Sequence, residues 1–177
     1  MKKNLLFFLS VIACMTVQGQ THIKFMDIPL NQSIETIHQE LTNKKKFHTI
    51  VEGEWRNRYN ACFFGREVEV KVSFTNIDKK VYEVEVIFPE DGEYAKKLFT
   101  TLAKAINKKY GKTESIPYVD EYSCVWFVEG TDAIHLDIKK GVVCLSYNDA
   151  EASSLYMKES TNSELIIKMS EKRKEDL

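Results

Sequence analysis

The sequence predicts an α+β fold: two units, each a helix followed by an antiparallel meander, form a layered helix/sheet domain that ends in a C-terminal helix. Apolar and polar residues alternate over residues 68–74 and 82–88, as in half-buried strands. Apolar residues spaced by three and four precede each strand group, as in amphipathic helices. The approximate units are residues 22–90 and 91–160, with the C-terminal helix over 162–175.

The first helix should begin after Ser33, because a serine hydroxyl can cap the free backbone N–H groups of a helix start. Its apolar residues Ile34, Ile37 and Leu41 have helical spacing, and we expect the helix to end near Asn43.

The two strands that follow should pair through a turn at residues 76–80. This turn pairs Phe74 with Tyr82 and Val72 with Val84, which places both apolar sets on one face of the sheet. Additional strand residues are expected upstream, in the segments 49–55 and 60–64.

The second unit should begin with a helix from Gly92 to a glycine cap at Gly111. Its predicted buried stripe recurs every four residues and consists of Tyr94, Leu98, Leu102, Ile106 and Tyr110. Three strands are then expected over 122–128, 133–138 and 142–147, with turns at Gly130 and at Lys140 and Gly141. Thr161 and Glu164 form a capping-box pair, which predicts that the last helix starts near Asn162.

Residues 1–19 have the pattern of a cleavable secretory signal peptide. Two lysines precede the apolar run 5–13, and Val17 to Gly19 supply short side chains at the cleavage position. The run is too short for a membrane-spanning helix, and we expect none in the mature chain. An alternative is a lipoprotein, because the residues before Cys14 also resemble a lipoprotein cleavage site. Both interpretations predict export, to the periplasm or the medium.

Removal of residues 1–19 leaves a chain of single-domain length, residues 20–177. It takes Lys2 and Lys3 from the 25 basic residues and leaves the 26 acidic residues unchanged, so the net charge is near −3. A chain without a basic excess cannot offset many phosphates, so we expect no nucleic-acid partner.

Four short stretches resemble small secreted or periplasmic proteins of unassigned function from Bacteroides-type bacteria: residues 22–30, 86–89, 109–111 and 176–177. The resemblance implies a periplasmic or cell-surface setting and brings no catalytic residues. More loosely, the helix-plus-meander pairing is similar to β-lactamase-inhibitor-protein-like domains and to outer-membrane-assembly lipoproteins. Those folds act in protein binding, so the resemblance implies an interaction module.

The second meander holds a candidate constellation. With two-residue turns, Phe127 and Ile134 pair, and the opposite face carries Trp126, His135 and Ser146 in one row. The next row carries Cys124, Asp137 and Cys144. Nucleophile, base and acid types would then be neighbours, as in a small hydrolase, although packing explains the same residues better. A strand lies between Cys124 and Cys144, so we expect these thiols and Cys62 to stay unpaired and largely buried.

A second candidate region places aromatic and guanidinium groups in one predicted turn, the residue types enriched at interface hot spots. The candidate binding surface consists of Trp55, Arg56, Arg58, Tyr59, Trp126 and His135. The acidic strand residues Glu67, Glu69, Glu83 and Glu85 are read as a solvated sheet face. We also read the histidines His22 and His38 as surface residues.

The sequence therefore favours a secreted or periplasmic binding module, whose partner is another envelope or extracellular protein. No catalytic residue, cofactor or metal is predicted. A small hydrolase using the Cys/His/Ser residues of the second meander and a structural envelope component are the alternatives.

We predict that the mature protein begins at Gln20, because the cleavage triplet ends at Gly19. Intact-mass analysis of the exported protein should give the mass of residues 20–177. A mass that corresponds to an acylated chain starting at Cys14 would instead establish the lipoprotein route.

Overall fold

The computed structural model describes residues 22–44, 47–111, 122–128 and 131–175, with side chains up to residue 162. These residues form three helices, a seven-stranded antiparallel sheet and a two-stranded hairpin, so the predicted α+β class is confirmed. Among these described elements, no helix combines the length and apolar character needed to cross a membrane.

The first half of the chain contains β1 (Lys24–Phe25), β2 (Ile28–Pro29), α1 (Ile34–Asn43), β3 (Phe47–Glu52), β4 (Arg56–Phe63), β5 (Arg66–Phe74) and β6 (Val81–Phe88). The second half contains α2 (Gly92–Tyr110), β7 (Ser123–Val128), β8 (Asp132–Lys139), β9 (Val142–Asn148) and α3 (Ala150–Glu175).

The two meanders form a single sheet with the strand order β3-β4-β5-β6-β9-β8-β7. They meet where β6 pairs with β9, which sets Val84 opposite Tyr147 and Val86 opposite Leu145. This register aligns the apolar positions of both meanders on one face. The core is therefore continuous across all seven strands.

The predicted pairing of β5 with β6 is half right. Val72 lies opposite Val84 as expected. The pairing of Phe74 with Tyr82 is wrong, because the register shifts between Ser73 and Phe74 and brings Phe74 opposite Val81. A bulge of this kind moves one residue out of alternation. Val81 is consequently buried and Tyr82 only partly so.

Helices α1 and α2 and the β1–β2 hairpin all pack on the apolar face, which we call the covered face. The Ser33 hydroxyl accepts a hydrogen bond from the Thr36 N–H at 3.2 Å, which confirms the predicted cap of α1. Phe25 fixes the hairpin, with its ring 5.3 Å from that of Tyr147. In α2 the predicted stripe is buried at Leu98, Leu102 and Ile106, but Tyr94 is 73% exposed and faces away from the sheet.

The last helix begins much earlier than predicted. Helix α3 starts at Ala150, directly after β9, and not near Asn162. Asp149 caps it, since its Oδ1 accepts a hydrogen bond from the Ala152 N–H at 2.8 Å. The hydroxyl of Thr161, the predicted cap, donates to the carbonyl of Met157 within the helix. Capping residues are also tolerated inside helices, so the pattern alone misplaced the start.

A buried polar cluster ties the N-terminal segment to the start of α3. The His22 Nδ1 lies 2.7 Å from Asp149 Oδ2, and Asp132 accepts hydrogen bonds from the N–H groups of Ile23 and Ala150. Both carboxylates are buried, and burial raises the pKa of Asp149. Buried charges need such partners to be tolerated. The prediction that His22 is a plain surface residue is therefore wrong.

We predict that Leu102→Ala lowers the free energy of unfolding by about 2 to 5 kcal/mol, because it leaves a cavity in the core under α2. Leu102 is only 2% exposed. Chemical denaturation followed by circular dichroism measures the change, with exposed Lys104→Ala on the same helix as the control. Equal midpoints for the two variants would remove α2 from the core.

Candidate functional site

The predicted row of Trp126, His135 and Ser146 does not form. Strand β7 is shifted by one residue against the predicted register, so that Trp126 and not Phe127 lies opposite Ile134. The reason is the turn length, because Val128 pairs with Asp132 and leaves three residues between the strands instead of two. Trp126 is buried on the covered face, where its Nε1 donates to Asn107 Oδ1 in α2 at 2.8 Å.

We call the opposite face the uncovered face, because α1 and α2 do not pack on it, although Cys144 and Ser146 there are buried. This face keeps His135 beside Ser146 and Asp137 beside Cys144. Asp137 accepts a hydrogen bond from Ser123 and lies 3.3 Å from the Lys139 ammonium. Burial raises the pKa of the Cys144 thiol, which keeps it protonated and weakly nucleophilic. Burial also lowers the pKa of His135. These groups provide no argument for a nucleophilic site.

The positions of the cysteines follow from the same register. Strand β8 lies between Cys124 and Cys144, as predicted, and the register also places the two residues on opposite faces. A disulfide between them would require rearrangement of the sheet. Unpaired thiols therefore remain our prediction. Cys62 is exposed, so the expectation that it is largely buried is wrong.

The predicted turn of Trp55, Arg56, Arg58 and Tyr59 is mostly strand. Only Trp55 lies in the β3–β4 turn, and the other three residues belong to β4. Alternation along β4 divides them, since Tyr59 is fully buried on the covered face while both arginines lie on the uncovered face. The polar residue Asn57 on the buried side hides this alternation in the sequence.

Charged side chains on the uncovered face are paired across strands. Arg58 in β4 forms a two-pronged pair with Glu69 in β5, with distances of 2.8 and 3.0 Å. Its guanidinium lowers the pKa of Glu69. The Lys71 ammonium lies 3.7 Å from Glu85, so neither sign of charge dominates. This pairing agrees with the predicted mixed charge of the face, but the expectation that Glu83 is solvated is wrong, because burial raises its pKa.

Large apolar side chains are exposed at the free edge of the sheet. Ile50 and Val51 on the edge strand β3 are 42% and 45% exposed, and Trp55 in the turn is 53% exposed. Val51 lies opposite Arg58. We call this region the hairpin surface: Ile50, Val51, Trp55, Arg56 and Arg58. It retains three of the residues that the sequence singled out for binding.

A cavity of about 380 Å³ lies between α1 and the β3–β4 turn, and we call it the α1 cavity. The buried Tyr59 hydroxyl lies beside it, 3.1 Å from His38 Nδ1 and 3.4 Å from Asn57 Nδ2. The Asn57 carbonyl oxygen accepts a hydrogen bond from the Gly53 N–H at 3.2 Å, which fixes the turn. His38 is therefore half-buried in a network, and the prediction that it is a surface residue is wrong.

Metal-ligand atoms converge at one place among the described residues. His22, Asp132 and Asp149 each offer an atom within 4.8 Å of the others. All four carboxylate oxygens have a hydrogen-bond partner: the N–H groups of Ile23, Ala150 and Ala152, and the His22 imidazole. We therefore assign this cluster a structural role.

Comparisons with known proteins find no matching family model, curated protein or solved structure. Sequence reasoning missed His38 and Asn57, because a polar residue on the buried side of β4 interrupts the apolar alternation that would have revealed it.

We predict that Glu83→Gln stabilises the protein at neutral pH. Burial, followed by the nearby charge of Glu85, raises the pKa of Glu83 in the folded state, so its ionised form destabilises the fold. The gain in stability should be absent below pH 4.5, the ordinary pKa of glutamate. It should grow as the pH rises from there through the raised pKa of the folded state and then level off.

Thermal unfolding of this variant between pH 3 and 8 provides the measurement, with Glu67→Gln on the same face as the matched control. Glu67 is exposed, so its variant should show little change. A gain for Glu83→Gln that does not vary with pH would contradict the electrostatic explanation.

Proposed function

We propose that the chain is an exported binding module that holds another envelope or extracellular protein at the hairpin surface. The observation that carries this proposal is the exposure of three large apolar side chains, Ile50, Val51 and Trp55, next to two arginines. Tryptophan and arginine are the residue types that contribute most to binding energy at protein interfaces.

The position of the hairpin surface also supports binding. Strand β3 is the outermost strand of the sheet and pairs only with β4 among the described strands. An edge strand offers backbone N–H and C=O groups to a partner strand, unless it is blunted. Here the register shift between Thr49 and Val51 interrupts the edge, which disfavours continuous strand addition. The side chains therefore provide the main contact.

The two guanidinium groups of the hairpin surface have different partners within the protein. Arg58 forms its ion pair with Glu69, and its side chain remains 44% exposed. Arg56 donates from Nε to the Ser73 hydroxyl at 2.9 Å and is itself exposed. An arginine held in position by one bond loses little entropy when it binds a carboxylate of the partner. We therefore assign Arg56 the polar contact beside Trp55.

Export of the module is supported by the leader-like residues 1–19 and by the resemblance to secreted proteins. Both come from the sequence alone. The near-balanced charge of the uncovered face argues against a polyanionic partner and favours a protein surface with its own mixed charges.

We predict that a photo-crosslinking amino acid at position 51 yields a discrete adduct with one protein in intact cell envelopes. The same group at position 157 serves as the control, because Met157 is 63% exposed on α3 and is not one of the residues of the hairpin surface. Trp55→Ala should weaken the captured interaction at least about tenfold, the effect of losing a hot spot.

The melting temperature of Trp55→Ala should stay close to that of the wild type, since the indole is exposed. Identical adducts from positions 51 and 157, or a Trp55→Ala variant that binds the captured protein normally, would contradict the proposal.

A further inference from the structure

The α1 cavity has an apolar wall and a polar end. Ile34 and Phe74 form the wall and are both buried. The polar end carries His38, whose Nδ1 contacts the Tyr59 hydroxyl and whose Nε2 remains for other partners. Cavities of a few hundred cubic ångströms with a few fixed polar groups are typical of small-ligand sites.

A gap separates two polar groups at this end. His38 Nε2 and Glu52 Oε1 are 3.9 Å apart, which is too far for a direct hydrogen bond. The distance is right for one polar ligand atom to contact both groups. The Tyr59 hydroxyl contacts the imidazole from the opposite side, and Asn57 donates to that hydroxyl, so His38 is positioned before any ligand arrives.

The charges that line the cavity favour a positively charged ligand. Three carboxylates line it, from Glu35, Glu52 and Glu54, against one cation, Lys79. The Lys79 ammonium itself lies 5.5 Å from the centroid of the Phe74 ring. The ammonium group of Lys79 thus makes a cation–π contact with the aromatic wall, and an alkylammonium group of a ligand can make the same contact.

We propose that the α1 cavity binds a primary alkylammonium group, carried either by a lysine side chain of a peptide or by a free aliphatic polyamine. The carboxylates contact the ammonium, and the wall of Ile34 and Phe74 contacts the methylene chain. A bare metal ion fits less well, because the converging ligand atoms among the described residues lie at His22, Asp132 and Asp149 instead. The inference does not rest on the hairpin surface, which lies outside this cavity.

The test is a titration followed by the backbone amide signals of Gly53 and Asn57 in ¹H–¹⁵N spectra. The probes are Nα-acetyl-lysine N-methylamide, its Nε-acetylated neutral form, and spermidine. The charged lysine probe or spermidine should shift both signals saturably, and the neutral form should not. Whichever of the two binds more tightly identifies the source of the ammonium.

Variants of the glutamates and of Lys79 should change the affinity for the amine in opposite directions. Glu52→Gln combined with Glu54→Gln should weaken binding by about fivefold or more, the loss expected from removing nearby opposite charges. Lys79→Gln should tighten binding, because it removes the competing ammonium. Glu40→Gln, which changes an exposed carboxylate on α1 outside the cavity lining, should leave the affinity unchanged.

Equal shifts from the neutral probe, equal weakening by Glu40→Gln and the double variant, or weaker binding by Lys79→Gln would each overturn the proposal. Loss of amine binding with normal crosslinking at position 51 would refute this inference alone. Normal amine binding without the crosslink would refute only the proposed function.

Discussion

The rest of the structure depends on the antiparallel pairing of β6 with β9. This single contact joins the two meanders, and its register aligns Val84 with Tyr147 and Val86 with Leu145. Because side chains alternate along a strand, a slip of one residue here would turn the apolar set of one meander toward solvent. The pairing therefore decides that the apolar residues of both meanders share one sheet face. Both α1 and α2 must pack on that face, since only there can their apolar stripes be covered.

Polar contacts then join the N-terminal segment to the start of α3. The cluster of His22, Asp132 and Asp149 lies where β9 passes into α3, and it links this point to the N-terminal segment. Apolar burial is not directional, whereas these hydrogen bonds demand particular partners. The cluster thus determines where His22 and Ile23 are held against the rest of the structure. Further along α3, the ring of Tyr156 stacks on that of Tyr82. Glu159 of the same helix accepts hydrogen bonds from the N–H groups of Asn76 and Ile77.

The same architecture explains why both proposed binding regions lie at the β3–β4 hairpin. Its outer edge has no neighbouring strand in the described sheet, so Val51 and Trp55 remain exposed. Its inner side faces α1, and the cavity beside His38 lies between them. The β3–β4 hairpin thus has the cavity on its inner side and exposed apolar side chains at its free edge. Gly53 allows the tight turn between them, because a Cβ at this position would lie 2.6 Å from the carbonyl oxygen of Arg56.

The sequence by itself determined the α+β class, the bounds of α1 and α2, the cap at Ser33 and the order of the strands in each meander. These features follow from local periodicity and capping chemistry, which a short window of residues contains. Only the tertiary structure decided the rest: the bulge that pairs Phe74 with Val81, the register of β7 with β8 that buries Trp126, and the start of α3 at Ala150. It also decided that Tyr59 belongs to the core and Arg58 to the surface. A strand's register and the partner of a polar side chain depend on residues far away in the chain, and no local pattern carries that information.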